Sequence, residues 1–282
     1  MNLTKLSFTN PLGKVDMTGG GTSHIRIISV SGLEFVPKNY GVIRFSDTDG
    51  IETVTENHTE RTITGKGDIF FKSYEEVKRL QSVFMEKGEI TVTKNGRKFK
   101  CGYKPGKFET QREGRYILSF VFQVICDSPF FTAETSESVY LRKRINMVSG
   151  TGVTLPAVFT KREQKVSVIN KGHKRTEPVI KITYAKPLSG SLNGGIVIKN
   201  NTTGKFIKFT GKAKDYTAFD IDIKQRKVLS KDGADISSCL SDDTYLSEFF
   251  LNVGVNEIEV INSKLSEDIS AKLEFDPLYL GV

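Results

Sequence analysis

The 282-residue sequence contains no tryptophan, only three cysteines and only three histidines, and each shortage excludes something. Sugar-binding clefts commonly stack their ligand on Trp, so its absence weighs against a carbohydrate module unless Tyr takes that part. Cys101, Cys126 and Cys239 form no C-x-x-C, and an odd, scattered set argues for a reducing compartment rather than a disulfide framework. His24, His58 and His173 each stand alone, with no Cys or second His at metal-ligand spacing. No stretch approaches the ~20 apolar residues of a membrane helix. Met1-Asn2-Leu3-Thr4-Lys5 lacks the charged-then-apolar opening of a signal peptide. The expectation is a soluble protein made in the cytoplasm, with no membrane contact.

The local signatures of enzyme chemistry are missing too. No G-x-x-x-x-G-K-[ST] occurs, and Gly65-Lys66-Gly67 is too short to cradle a phosphate. Asp47-x-Asp49-Gly50 begins like a calcium loop but lacks the further oxygen ligands and the closing Glu, so it reads as a plain turn. Asp220 and Asp222 share one strand face as paired carboxylates might, yet their order along an exposed edge fits solubility better. Asn57-x-Thr59 and Asn201-x-Thr203 match the glycosylation pattern, which matters only for a secreted chain. No catalytic, cofactor-binding or metal residue is assigned. The net charge of +8 comes from Lys and Arg set beside Glu and Asp, a solvated surface rather than a nucleic-acid patch.

What is present is mostly strand. With 38% apolar and 26% charged residues the chain has an ordinary globular balance, and its length favours two compact units. From Ala218 to Ile236, Phe219, Ile221 and Ile223 alternate with Asp220 and Asp222, Lys224-Gln225-Arg226 breaks the pattern, and Val228 and Leu229 resume it before Asp232-Gly233 turns the chain again. Asn95-Gly96 joins Glu89–Val92 to Phe99 and Cys101 in the strongest short hairpin signal of the sequence. Tyr116 to Ile125 is almost continuously apolar and reads as a strand covered on both faces. One segment differs. Ser73 can cap a helix with Glu76 reaching back to it, Val77, Leu80 and Phe84 recur at helical spacing, and Gly88 ends the run. A helix over 73–88 is therefore expected. The chain turns small and polar from Thr132 to Ser138 and charged near Lys161, which places a seam at 146/147 between domains 1–146 and 147–282. The chain reads as mainly β, and in the second half short strands at this density, with turns every eight to twelve residues, describe a β-sandwich.

A set of ordered motifs then carries a resemblance. Asn170-x-Gly172 precedes Glu177-Pro178 and an apolar strand; Asn201-Thr202-Thr203-Gly204-Lys205-Phe206-Ile207 follows. Next come Phe219-Asp220-Ile221-Asp222 with Arg226-Lys227-Val228, then Leu251-x-x-Gly254-x-Asn256-x-Ile258, and a terminal Phe275-Asp276-Pro277-Leu278-Tyr279-Leu280. Earlier, the apolar run from Phe122 ends in Asp127-Ser128-Pro129-Phe130-Phe131. In this order the motifs resemble the distal tail proteins of long-tailed, non-contractile bacteriophages and their prophages.

The resemblance implies an N-terminal β-sandwich-like domain with one helix and a projecting hairpin, built to assemble into a homohexameric ring. It implies a C-terminal galectin-like β-sandwich. The implied role is a structural hub of the tail tip that joins the tail tube protein to a tail-associated lysin-like protein and the receptor-binding protein. The implied location is the virion tail tip, and neither an enzyme nor a cofactor is implied. The competing reading is a carbohydrate-binding module for host surface polysaccharide, with Tyr184, Tyr216 and Tyr245 as its stacking residues; a tail-associated hydrolase is the third.

Overall fold

The computed structural model describes residues 5–18, 24–44, 52–70, 74–142, 165–184, 196–210, 218–262 and 269–282. They form strands and one α-helix arranged in two compact units, Met1–Glu134 with Leu278–Val282, and Thr135–Pro277.

In the first unit the strands are β1 (Lys5–Asn10), β2 (Gly13–Thr18), β3 (Ile25–Ser31), β4 (Lys38–Ile43), β5 (Glu52–His58), β6 (Arg61–Phe70), β7 (Gly88–Lys94), β8 (Arg97–Arg112), β9 (Ile117–Cys126) and β10 (Phe131–Ala133). The helix α1 spans Tyr74–Ser82, shorter than the expected 73–88, although Val83 and Phe84 beyond it stay buried. The sheet runs β8-β7-β1-β2-β3-β6-β9 and returns to β8. It is a closed barrel, not the two-layered sandwich expected of this domain. Closure depends on β8: its first half pairs with β7, and from Tyr103 onward it pairs with β9. The register shift between Pro105 and Lys107 bends the strand there, where Pro105 has no N–H to lose.

The barrel core explains two sequence features. A Cβ on Gly65 would overlap the Phe122 ring, and one on Gly67 would crowd Phe120, so Gly65-Lys66-Gly67 is glycine at a close approach of rings. Asn95 and Gly96 both take positive φ, 53° and 74°, the turn that lets β7 and β8 pair from Lys94–Arg97 onward. The apolar run of β9 is covered on its inner face only. Phe120, Phe122 and Val124 are buried, whereas Val121 is 37% exposed. The expectation of cover on both faces is therefore corrected, because a barrel strand has one inside and one outside.

Arg61 opens β6 on the inward face and is 1% exposed. Its guanidinium lies 4.4 Å over the Phe131 ring and donates to the carbonyls of Gly32, Glu34 (2.8 Å), Pro129 (3.1 and 2.9 Å) and Leu280.

The second unit holds β11 (Glu137–Arg142), β12 (Lys165–Asn170), β13 (Val179–Tyr184), β14 (Ile196–Asn200), β15 (Phe206–Phe209), β16 (Ala218–Asp222), β17 (Lys227–Ser230), β18 (Gly254–Asn262) and β19 (Ile269–Phe275). Two antiparallel sheets result, ordered β11-β19-β13-β16-β17 and β12-β18-β14-β15. Their inward residues share one apolar cluster, and Phe209 stacks on Phe219 across it at 4.3 Å. The expected 218–230 hairpin forms, with Arg226 at φ 58° in its turn and Phe219, Ile221 and Ile223 buried.

The chain then returns. The strand β20 (Leu278–Tyr279) pairs with β10 and extends the barrel sheet of the first unit. Tyr279 packs edge-on against Phe99, and the Val282 N–H bonds to the Leu33 carbonyl at 3.0 Å. The division therefore falls after Glu134 rather than at 146/147. β11 is an edge strand of the second unit, and residues 278–282 belong with the first.

Candidate functional site

Among the described residues the β4–β5 hairpin pairs with no other strand, and every residue of β4 and β5 except His58 is exposed. A lone two-stranded hairpin is marginal in water. This one is anchored at its base, where the His58 ring sits edge-on to Phe35 and Phe130 and its Nδ1 lies 3.2 Å from the Val36 carbonyl. Lys38 and Glu56 form an ion pair across it. Tyr40, Val42, Ile43 and Val54 remain open to solvent, with Tyr40 53% and Val54 56% exposed. Outward on the barrel, Val121 of β9 and Phe70 of β6 add further uncovered apolar surface. Exposed apolar side chains of this size are candidates for burial against a partner.

A cleft of about 370 Å³ opens between α1 and the barrel, lined by Lys14, Val15, Asp16, His24, Ile25, Ile69, Glu76 and Arg79. His24 Nδ1 lies 3.2 Å from the Phe70 carbonyl and 3.7 Å from a Glu76 carboxylate oxygen. Arg79 donates to the Lys14 carbonyl at 3.2 and 3.3 Å, tying the helix to β2. The Asp16 carboxyl is held below the usual range by the Ser7 hydroxyl and by Lys5 and Lys14, against the effect of its burial. His58 belongs to the hairpin base, and His173 lies exposed after β12. Among the described residues no group of three or more His, Cys, Asp or Glu side chains is placed to hold a metal ion.

In the second unit the five-stranded sheet presents one polar rung, Tyr140, Lys272, Lys181 and Asp220, in register across β11, β19, β13 and β16. Glu274 accepts from Lys181 and Lys272 at 2.7 Å each, and those bonds hold its carboxyl below the usual range. Burial pushes the Asp220 carboxyl up, Glu274 and Asp222 add to that, and Lys181 opposes it. β16 is not the exposed edge that the sequence led one to expect; it lies between β13 and β17. Asp220 is accordingly half-buried.

Two of the three proposed stacking tyrosines lie in described elements. Tyr245 is 61% exposed on the turn before a short 3-10 segment, Tyr184 ends β13, and Tyr216 lies outside the described residues. Asp47, Asp49 and Gly50 lie outside them as well.

The motifs that carry the resemblance turn out to build turns. Asn170, Asn200 and Asn256 are each at most 1% exposed. Asn170 donates to the Lys174 carbonyl (2.9 Å) and accepts from the Gly172 N–H (2.9 Å). Asn200 donates to the Phe250 carbonyl (2.9 Å) and accepts from Thr202 (3.0 Å). Asn256 donates to the Asn252 carbonyl and accepts from its N–H, both at 2.8 Å. A buried amide that supplies both partners fixes a turn where the backbone has none.

No protein-family model and no curated protein sequence matches the chain. Among solved structures, one of the SPP1 Dit protein (gp 19.1), described as a paradigm of the hub adsorption apparatus in phages infecting Gram-positive bacteria, superposes with a TM-score of 0.68 at 12% identity over 98% of both chains. The chain shares the fold of the SPP1 Dit protein. Components of the phage P2 baseplate in its activated conformation also match at 14% identity. The form with calcium has a TM-score of 0.51 over 100% of both chains, and the form with strontium 0.50 over 97% of this chain and 98% of that one. These structural neighbours are consistent with the distal tail or hub proteins that the sequence motifs resemble.

Proposed function

We propose that the chain is a structural hub of a long non-contractile phage tail tip, six copies closing into a ring that joins the tail tube to the adsorption apparatus. The observation that carries this reading is likeness to a hub protein over the full length of both chains. The exposed hairpin and the outward apolar residues of the barrel support it, because a closed ring needs head-to-tail patches to bury. On this reading the second unit is a galectin-like sandwich. That fold does not itself bring a sugar site, because function lives in sites. The reading assigns no catalytic residue and no nucleic-acid contact. Its partners are further copies of itself, the tail tube protein, a tail-associated lysin-like protein and a receptor-binding protein. The protein is made in the host cytoplasm and ends in the virion tail tip of a siphovirus or prophage.

Co-expression with a tail tube protein and a tail-associated lysin-like protein tests this. Co-purification of a complex is expected. Failure of each neighbour to co-purify, with no assembly of the chain itself, would sink the proposal.

A further inference from the structure

The strand β20 and the three residues after it are held by a ring contact and a few bonds. Tyr279 meets Phe99 edge-on at 5.3 Å, and the Leu280 carbonyl accepts from Arg61. The Val282 N–H donates to the Leu33 carbonyl at 3.0 Å, and the Val282 carbonyl accepts from Lys94 at 2.9 Å. Gly281 passes so close to Glu34 and Phe35 that a Cβ on it would stand 3.0 to 3.3 Å from their backbone atoms. Yet all five residues, 278–282, are only half-buried, and the ladder to β10 is two residues long, Phe131 with Tyr279 and Thr132 with Leu278. By contrast β6 pairs with β9 from Arg61 to Phe70, over the buried rings of Phe120 and Phe122. A segment with so short a ladder and so little buried apolar surface opens at a fraction of the global unfolding energy. Its departure leaves Arg61 held by the carbonyls of Gly32, Glu34 and Pro129.

We propose that residues 278–282 are a releasable strap, and that the seat they vacate beside β10 takes the same segment of a second copy of this chain. An open strand edge offers main-chain bonds, and the groups beside it set which strand is accepted. This seat takes an aromatic ring against Phe99, a carbonyl for Arg61 one residue on, and, two residues beyond that, an N–H for Leu33 and a carbonyl for Lys94. The run Tyr279-Leu280-Gly281-Val282 meets that order, with glycine where the backbone of Glu34 leaves no room for a side chain. Exchange of an identical segment keeps each of these contacts, so it costs little in bonding. While seated, the strap occupies in its own copy the site that a second copy would use. The inference does not rest on the hub reading.

The test uses the full chain and, as the probe, a synthetic peptide of residues 276–282 with an amino-terminal fluorophore. Hydrogen exchange read by mass spectrometry on the folded chain should show the amides of 278–282 exchanging roughly a hundredfold or more faster than those of β6 and β9. Fluorescence anisotropy should show the peptide binding the Tyr279→Ala chain roughly tenfold or more tightly than the parent, because the ring contact that seats the resident strap is gone. A peptide N-methylated at Val282 lacks the donor to Leu33 and should bind that variant roughly tenfold more weakly. Equal protection of 278–282 and β6 in the parent chain would overturn the proposal, since the strap would then open only with the barrel. So would failure of the peptide to bind the Tyr279→Ala chain, or binding that N-methylation leaves unchanged.

Discussion

Replacing Arg61 with methionine keeps an apolar stem over Phe131 and removes every donor. Five hydrogen bonds to four carbonyls vanish in a site that is 1% exposed. Each buried carbonyl left unpaired costs about 1–3 kcal/mol, but water entry and relaxation keep such losses from summing. Hydrogen bonds to a charged group contribute about 1.5–3 kcal/mol each, so a loss of roughly 3–5 kcal/mol after relaxation is expected for Arg61→Met. It is a large share of the roughly 5–15 kcal/mol that stabilise a typical domain. The carbonyls released belong to the segments at Gly32, Glu34, Pro129 and Leu280, so the first unit alone should weaken. Hydrogen exchange read by mass spectrometry separates the units. Amides of β6, β10 and β20 should lose protection, while those of β13, β16 and β19 keep theirs. A loss below about 1 kcal/mol would mean that water already serves these carbonyls. Lost protection confined to the second unit would equally refute the reasoning.

Gly65→Ala places a methyl inside the Phe122 ring and should cost about 1–3 kcal/mol in urea unfolding; an unchanged midpoint would show that the ring moves aside freely. Glu274→Gln removes the negative charge that pairs with Lys181 and Lys272. Because the folded carboxyl titrates below its ordinary value, its contribution is present at neutral pH and is lost as pH falls below the usual carboxylate range. The variant should be less stable at pH 7 by about 1 kcal/mol or less, the difference vanishing in acid. Asp220→Asn has the opposite sign. A carboxyl pushed up by burial weakens the fold when ionised, so this variant should gain stability at neutral pH and lose the gain as pH falls. Tyr40→Ser with Val54→Ser should leave the monomer within about 0.5 kcal/mol of the parent, yet weaken self-association by roughly 2–3 kcal/mol per interface if the hairpin is buried there. Thermal unfolding and sedimentation check the two halves of that statement.

Local signals were legible where they could be. Asn95-Gly96, the alternation through Phe219 and Ile223, and the stripe Val77, Leu80 and Phe84 each encode an element from neighbours in sequence. Barrel closure was not legible, because it rests on β8 changing partners at Pro105, a pairing set by residues far apart in the chain. The polar strand Glu52–His58 hid for a related reason. It packs against no core, so it carries no buried period and only its partner β4 defines it. β20 is two residues long, too short for any period, and its place depends on Phe131 and Arg61. Nothing in sequence announces that four distant carbonyls await the Arg61 guanidinium. The asparagine motifs were visible as a pattern, but their reason, turns pinned by buried amides, needed the bonds of Asn170, Asn200 and Asn256.

The mass of the purified full-length chain by light scattering, paired with images of the same sample and repeated in the presence of the tail tube protein, tests the hub reading most directly. Ring-shaped particles of six copies, with or without the tube protein, are the predicted result. A chain that stays monomeric at every concentration, and still does so beside the tube protein, would contradict it.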